Sequence, residues 1–158
     1  MKGIVIYDTS YGNTQKIAEA IADTLKESGI HVDTTYVKNI KKLNAEDYDF
    51  LIIGSPTRFA TMSLTMRGFL SRLKPDEWIN KPFAAFDTEG SASVEKNQGS
   101  AAEKIAQKLK EKQMNQLLPV LKAIVLDWKG PLQTGEIERA KEYAQKFLSQ
   151  IKQQQLVS

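Results

Sequence analysis

The passage from Gly3-Ile4-Val5-Ile6-Tyr7 through Asp8-Thr9-Ser10-Tyr11-Gly12-Asn13-Thr14 constrains this chain more than any other stretch. Ile4 to Tyr7 are apolar throughout and rich in β-branched residues, the pattern of a strand buried on both faces. Ile17, Ile21 and Leu25, with Ala18 and Ala22, then line one stripe of a helix from about Thr14 to Ser28. A strand, a short polar loop and a helix start aim free backbone N–H groups and the positive end of a helix dipole at one spot. A phosphate fits there. Thr9, Ser10 and Thr14 add hydroxyl donors, Gly12 lets the backbone come close, and Asn13 tolerates left-handed or capping conformations. No Lys or Arg lies between Tyr7 and Thr14, so an anion would be held by dipoles rather than by counter-charge. The same residues also suit an ordinary strand-to-helix turn closed by an N-cap.

Thr9-Ser10-Tyr11-Gly12-Asn13-Thr14 resembles the phosphate loop of the flavodoxins, a hydroxyl-rich turn that ends Gly-Asn-Thr. The resemblance implies that these six residues hold the 5′-phosphate of FMN. It also implies an α/β fold of the flavodoxin-like type: a doubly wound, five-stranded parallel sheet of order 2-1-3-4-5 with helices on both faces. Tyr7 to Thr14 and the Trp128-Lys129-Gly130-Pro131 stretch also look like the flavodoxin domains of A-type flavoproteins.

The rest of the chain is consistent with that plan. His31 to Val37 alternate and read as a half-exposed edge strand, with His31, the chain's one histidine, on the surface. Asn39 to Asp49 suit a short helix or an irregular connection, and Phe50 to Ile53 are a central strand. Gly54-Ser55-Pro56-Thr57-Arg58-Phe59-Ala60 follows, ahead of a helix from about Ser63 to Leu73. This run resembles the loop of flavodoxin-like NAD(P)H:quinone oxidoreductases that touches the isoalloxazine ring. The resemblance implies that Ser55, Pro56, Thr57, Arg58, Phe59 and Ala60 lie at the flavin. Ser55 and Thr57 would offer hydroxyls, and Phe59 either lies against the ring or turns into the core. Trp78 precedes the fourth strand and reads as packing. Phe83 to Phe86 form that strand, and Asp87-Thr88-Glu89-Gly90-Ser91-Ala92-Ser93 reads as a third loop at the same rim. In flavodoxins such a loop closes over the flavin, usually with an aromatic on the ring; none occurs here between Phe86 and Trp128. That implies an open ring or cover from a partner subunit. Ala101, Ile105 and Leu109 stripe a further helix, Ala123 to Leu126 are the fifth strand, and Ile137 to Ile151 carry the last helix. No segment matches the insertion that splits the last strand of long-chain flavodoxins. A single FMN-binding domain over 1–152 with a frayed tail at 153–158 is the expectation.

At 158 residues the chain can bury a core without metal or disulfide support, and it has no cysteine. Thiol nucleophiles and thiolate metal sites are therefore excluded. The charge of +3 is scattered, with Lys41-Lys42 the one basic doublet, which argues against nucleic acid. No apolar run approaches the roughly 20 residues of a membrane span, and the expected location is cytoplasmic. A phospho-receiver domain needs an Asp where Gly54-Ser55 stands, and a P-loop needs a Lys that Gly12-Asn13-Thr14-Gln15 lacks. Two functions remain: an FMN-bearing electron carrier between redox partner proteins, or an NAD(P)H-dependent quinone or flavin oxidoreductase on the same site.

Overall fold

A computed structural model describes residues 1–157. All the strands run parallel, and the burial of each follows from its place in the sheet. β1 (Lys2–Tyr7) is buried from Gly3 on, and β3 (Phe50–Pro56), beside it, is buried at every residue. β2 (His31–Tyr36) pairs with β1 alone and forms one edge, with His31 exposed. Two single 3-10 turns, Val37–Asn39 and Ala45–Asp47, make up the connection that leads to β3. β4 (Pro82–Gly90) flanks β3 on its other side.

The fifth position holds two short strands where one was expected. β5 (Asn115–Gln116) and β6 (Leu121–Val125) both pair with β4. Gln116 sits opposite Phe83 and Leu121 opposite Phe86, so residues 117–120 span a gap that β4 crosses with Ala84 and Ala85. The surplus bulges out at Pro119, which has no N–H to give a ladder. The sheet order, β2-β1-β3-β4 and then the split fifth position, is the expected 2-1-3-4-5.

Helices cover both faces. α1 (Asn13–Glu27) packs with the last helix, α6 (Glu136–Val157), on one side. On the other lie α2 (Leu64–Ser71), the single turn α3 (Pro75–Trp78), and α5 (Ala101–Glu111), which follows the short α4 (Ser91–Lys96). The first face buries Ile17, Ile21, Leu25, Ala140, Ala144 and Phe147 on Val5, Ile52 and Phe86. The second buries Met66, Phe69, Ile105 and Leu109 on Ile6, Ile53 and Phe83, with Trp78 packed among them. At about 1.5–3 kcal/mol for each large apolar side chain, these two layers dominate the stability. Gly54 is needed for the first: a Cβ there would stand 2.1 Å from the Phe86 ring, which lies flat over it. α6 runs through Gln153, Gln154 and Gln155, where fraying was expected; Ser158, the end of that expected tail, lies outside the described residues.

Candidate functional site

β1 and β3 are neighbours, yet the chain leaves β1 for α1 on one face and leaves β3 for α2 on the other. Their loops diverge, and the crevice between them is the switch point where doubly wound sheets take ligands. Thr9, Ser10, Tyr11, Asn13 and Thr14 line it on one side, and Pro56 and Arg58 on the other. Thr88 of β4 forms the floor, and Val125 and Trp128 close it from the end of β6.

The helix start at this crevice is uncapped. Gly12 occupies the N-cap position with φ 90°, and no side chain bonds to the first turn of α1. A glycine suits this left-handed position, and open space surrounds the place where a Cβ would stand. Thr9 Oγ1 accepts from the Gly12 amide at 2.9 Å, and Asp8 Oδ1 from the Thr9 amide at 2.8 Å, which fix the turn behind it. The first amides of the helix, from Asn13 onward, have no carbonyl of their own helix to bond. Thr14, fully buried, shares a hydrogen bond of 2.8 Å with the Thr88 hydroxyl. One such bond uses one of two O–H protons, so one hydroxyl of the pair keeps a proton for an anion. Uncapped amides, a close-approach glycine and a spare hydroxyl fit a phosphate monoester.

The side chain of Asn13 does something else. Its Nδ2 donates to Lys129 O at 3.0 Å and ties the start of α1 to the loop after β6. That loop supplies Trp128, which the sequence marked only through the likeness of the Trp128-Lys129-Gly130-Pro131 stretch. Tyr11 and Trp128 are both exposed and meet edge to face, with ring centroids 5.3 Å apart. Their contact narrows the crevice to about 10 Å³. A flat ring system entering between them replaces one aromatic contact with two. No aromatic after Phe86 on β4 reaches this crevice, and the loop after β6 brings Trp128 to it. Sequence carried part of the signal, since every strand of a parallel sheet ends at the same rim, but not the Asn13 and Arg58 bonds that draw this loop inward.

The loop residues expected after the fourth strand are not a loop. β4 continues to Gly90, and its alternation sends Asp87 and Glu89 to the α5 face while Thr88 faces the crevice. Asp87 Oδ2 accepts from the Ala102 amide at 3.0 Å, and Thr57 Oγ1 accepts from the Ala101 amide at 2.9 Å. Together they cap α5. Ser55 Oγ likewise turns inward, accepting from the Ser63 amide at 3.1 Å. Burial pushes the Asp87 carboxyl up to about 7, with the neighbouring Glu89 charge adding to it, against the hydrogen bonds it accepts. Burial also raises Glu89, partly opposed by Lys122. Asp87 Oδ1 and Glu89 Oε1 have no hydrogen-bond partner.

Arg58 crosses the mouth. Its Nη1 donates to Thr57 O at 3.0 Å and its Nη2 to Trp128 O at 3.3 Å, so it holds the second and last loops together. Phe59 does not turn into the core: it stands fully exposed beside Ala60 at a turn apex.

A sequence profile of the Flavodoxin domain family matches residues 4–155. A flavodoxin from Aquifex aeolicus is 36% identical over 93 residues, covering 56% of this chain and 50% of that protein. An NAD(P)H dehydrogenase (quinone) from Methylocella silvestris is 32% identical over 91 residues, 45% of this chain and 46% of that protein. The matches to these two curated relatives thus span half of their length or less. A solved flavodoxin from the domain Archaea superposes with a TM-score of 0.80 at 25% identity, over 96% of this chain and 99% of the other.

Proposed function

The chain belongs to the Flavodoxin domain family, whose proteins bind FMN and serve redox chemistry, and from that premise we propose that it carries electrons between redox partner proteins. The FMN phosphate would sit on the uncapped amides of α1 with the Thr14–Thr88 hydroxyls, and its ring between Tyr11 and Trp128. FMN supplies the electron-accepting and electron-donating chemistry. Arg58 and Asn13 hold the mouth in register by bonding the carbonyls of Trp128 and Lys129.

One observation carries the carrier reading over the enzyme. The crevice opens onto the exposed Tyr11 and Trp128 rings rather than into an enclosing pocket. A small substrate needs a concave site that buries most of its surface, whereas electron transfer needs only close contact. Besides the likeness of the 54–60 run to quinone oxidoreductases, the reductase reading has a structural feature in its favour: a groove of about 600 Å³ between α2 and α5 starts at Thr61 and carries Arg67 and Lys104, cations that suit a dinucleotide phosphate. Anaerobic addition of one equivalent of NADPH to FMN-loaded protein with a quinone present separates the two. An unbleached flavin spectrum after minutes is expected; rapid bleaching with turnover would establish the enzyme. No helix among the described residues is long and apolar enough to cross a membrane, and a cytoplasmic carrier is the reading we adopt.

A further inference from the structure

A groove of about 810 Å³ lies between the connection from β2 to β3 and the corner that α2 makes with α3. Its walls lead into the amino ends of β3 and β4, whereas the flavin crevice lies at the carboxyl ends. Phe69, Leu73 and Trp78 give it an apolar floor, and Ile40 and Leu43 of the connection are partly buried against the same core. Lys81 Nζ donates to Ala45 O, and to Tyr48 O at 2.9 Å, and lies 5.0 Å from the Trp78 ring centre. That ammonium braces one wall from within.

Charge around the groove is sorted by sign. The turn Val37–Asn39 packs on α2 and the turn Ala45–Asp47 on α3, so the two walls run side by side. Lys41 and Lys42 follow the first turn, and Arg72 folds its guanidinium back along α2, with Nη1 3.4 Å from a Cβ built on Gly68. Glu46 and Asp47 stand in the second turn, against the α3 turn that carries Asp76 and Glu77. One end is cationic and the other anionic, with Lys74 between Arg72 and Asp76 in the chain. All these side chains are exposed, and none makes an ion pair among the described residues. Like charges gathered at each end repel. A segment of reversed polarity, laid in the groove, relieves both ends at once.

The chain itself carries such a segment. Lys41-Lys42-Leu43-Asn44-Ala45-Glu46-Asp47 runs from cation to anion around a partly buried leucine, and a two-fold rotation reverses it. We propose that this groove takes the 41–47 wall of a second copy of the chain, forming an isologous dimer. About the two-fold axis each wall lies in the groove of the other copy. Lys41 and Lys42 then meet the anionic end, Glu46 and Asp47 meet the cationic end, and Leu43 packs toward the apolar floor. An unrelated partner would have to supply the same bipolar segment, whereas a second copy does so by symmetry. The dimer leaves the flavin crevice free and does not rest on the carrier reading.

Sedimentation velocity over a range of protein concentrations, at low and at high salt, with and without FMN, tests the proposal. Dimers are expected at low salt, with a dissociation constant that rises about tenfold at high salt. Lys41→Glu with Lys42→Glu, and separately Glu46→Lys with Asp47→Lys, are each expected to weaken self-association about tenfold or more. Their melting temperatures are expected to match wild type, because the replaced side chains are exposed and unpaired. Mixed in equal amounts, the two double variants are expected to pair as tightly as wild type does. Lys141→Glu with Lys152→Glu makes the same change in net charge on α6, across the sheet, and is expected to leave the dimer intact. A wild-type protein that stays monomeric at every concentration in low salt would overturn the proposal. So would a dimer indifferent to both groove variants, a mixture that stays monomeric, or equal weakening by the α6 variant. Failure of FMN to bind would strike the flavin reading and leave these results standing.

Discussion

Thr14 and Thr88 are joined by one buried hydrogen bond of 2.8 Å, and that bond links the proposed phosphate site to the floor of the sheet. Thr14→Val removes the hydroxyl at constant shape. It is expected to weaken FMN binding by about 1–3 kcal/mol, and, by leaving Thr88 unpaired, to lower fold stability by about 1 kcal/mol. Ser10 is exposed and has no structural bond of this kind, so Ser10→Ala is expected to change FMN affinity with stability unmoved. Flavin titration and urea unfolding of both variants check the pair. Trp128 gives a second residue-level test. Trp128→Ala removes one wall of the proposed ring slot and is expected to cost about 1–3 kcal/mol of FMN affinity, by analogy with base–aromatic stacking. Unaltered binding would mean that the ring lies elsewhere.

The start of α5 shows why part of the site was misread from sequence. Asp87, Gly90, Ser91 and Ser93 have the composition of a loop, because such residues favour turns. The same residue types also cap helices, and here Asp87 on β4 and Thr57 just after β3 reach the first amides of α5. Composition alone cannot separate those uses; only the packing of α5 on the sheet does. The strands and helices themselves were legible, since apolar runs and striped spacing follow directly from burial on one or two faces. The cap also has a pH signature. Asp87 titrates near 7 in the fold and near 3.8 when unfolded, so between these values the native state holds a proton that the unfolded chain has lost. The contribution of this group to stability is therefore highest below about pH 4, falls as pH rises through that window, and levels off above 7, by on the order of 4 kcal/mol. Asp87→Asn keeps an acceptor for the Ala102 amide and has no charge to bury. It is expected to be at least as stable as wild type at pH 8 and to lose that part of the pH dependence, as measured by urea unfolding at pH 5 and pH 8.

Over the whole molecule, one consequence of parallel strands organises the rest: every strand ends at one rim, so loops distant in sequence meet there. Tyr11, Arg58, Thr88 and Trp128 meet there. The Gly12-Asn13-Thr14 turn was legible because it is local, a strand end and a helix start within a dozen residues. Trp128 was not, because its place depends on which strands are neighbours and on the Asn13 and Arg58 bonds that draw its loop inward. The measurement that reaches furthest is an equilibrium titration of the protein with FMN and, in parallel, with riboflavin, which has the same ring and no phosphate. One FMN per chain is expected, bound about 100-fold more tightly than riboflavin, a difference of about 2.7 kcal/mol for phosphate on uncapped amides. Equal affinity for the two, or no binding of either, would contradict a phosphate site at Thr9 to Thr14.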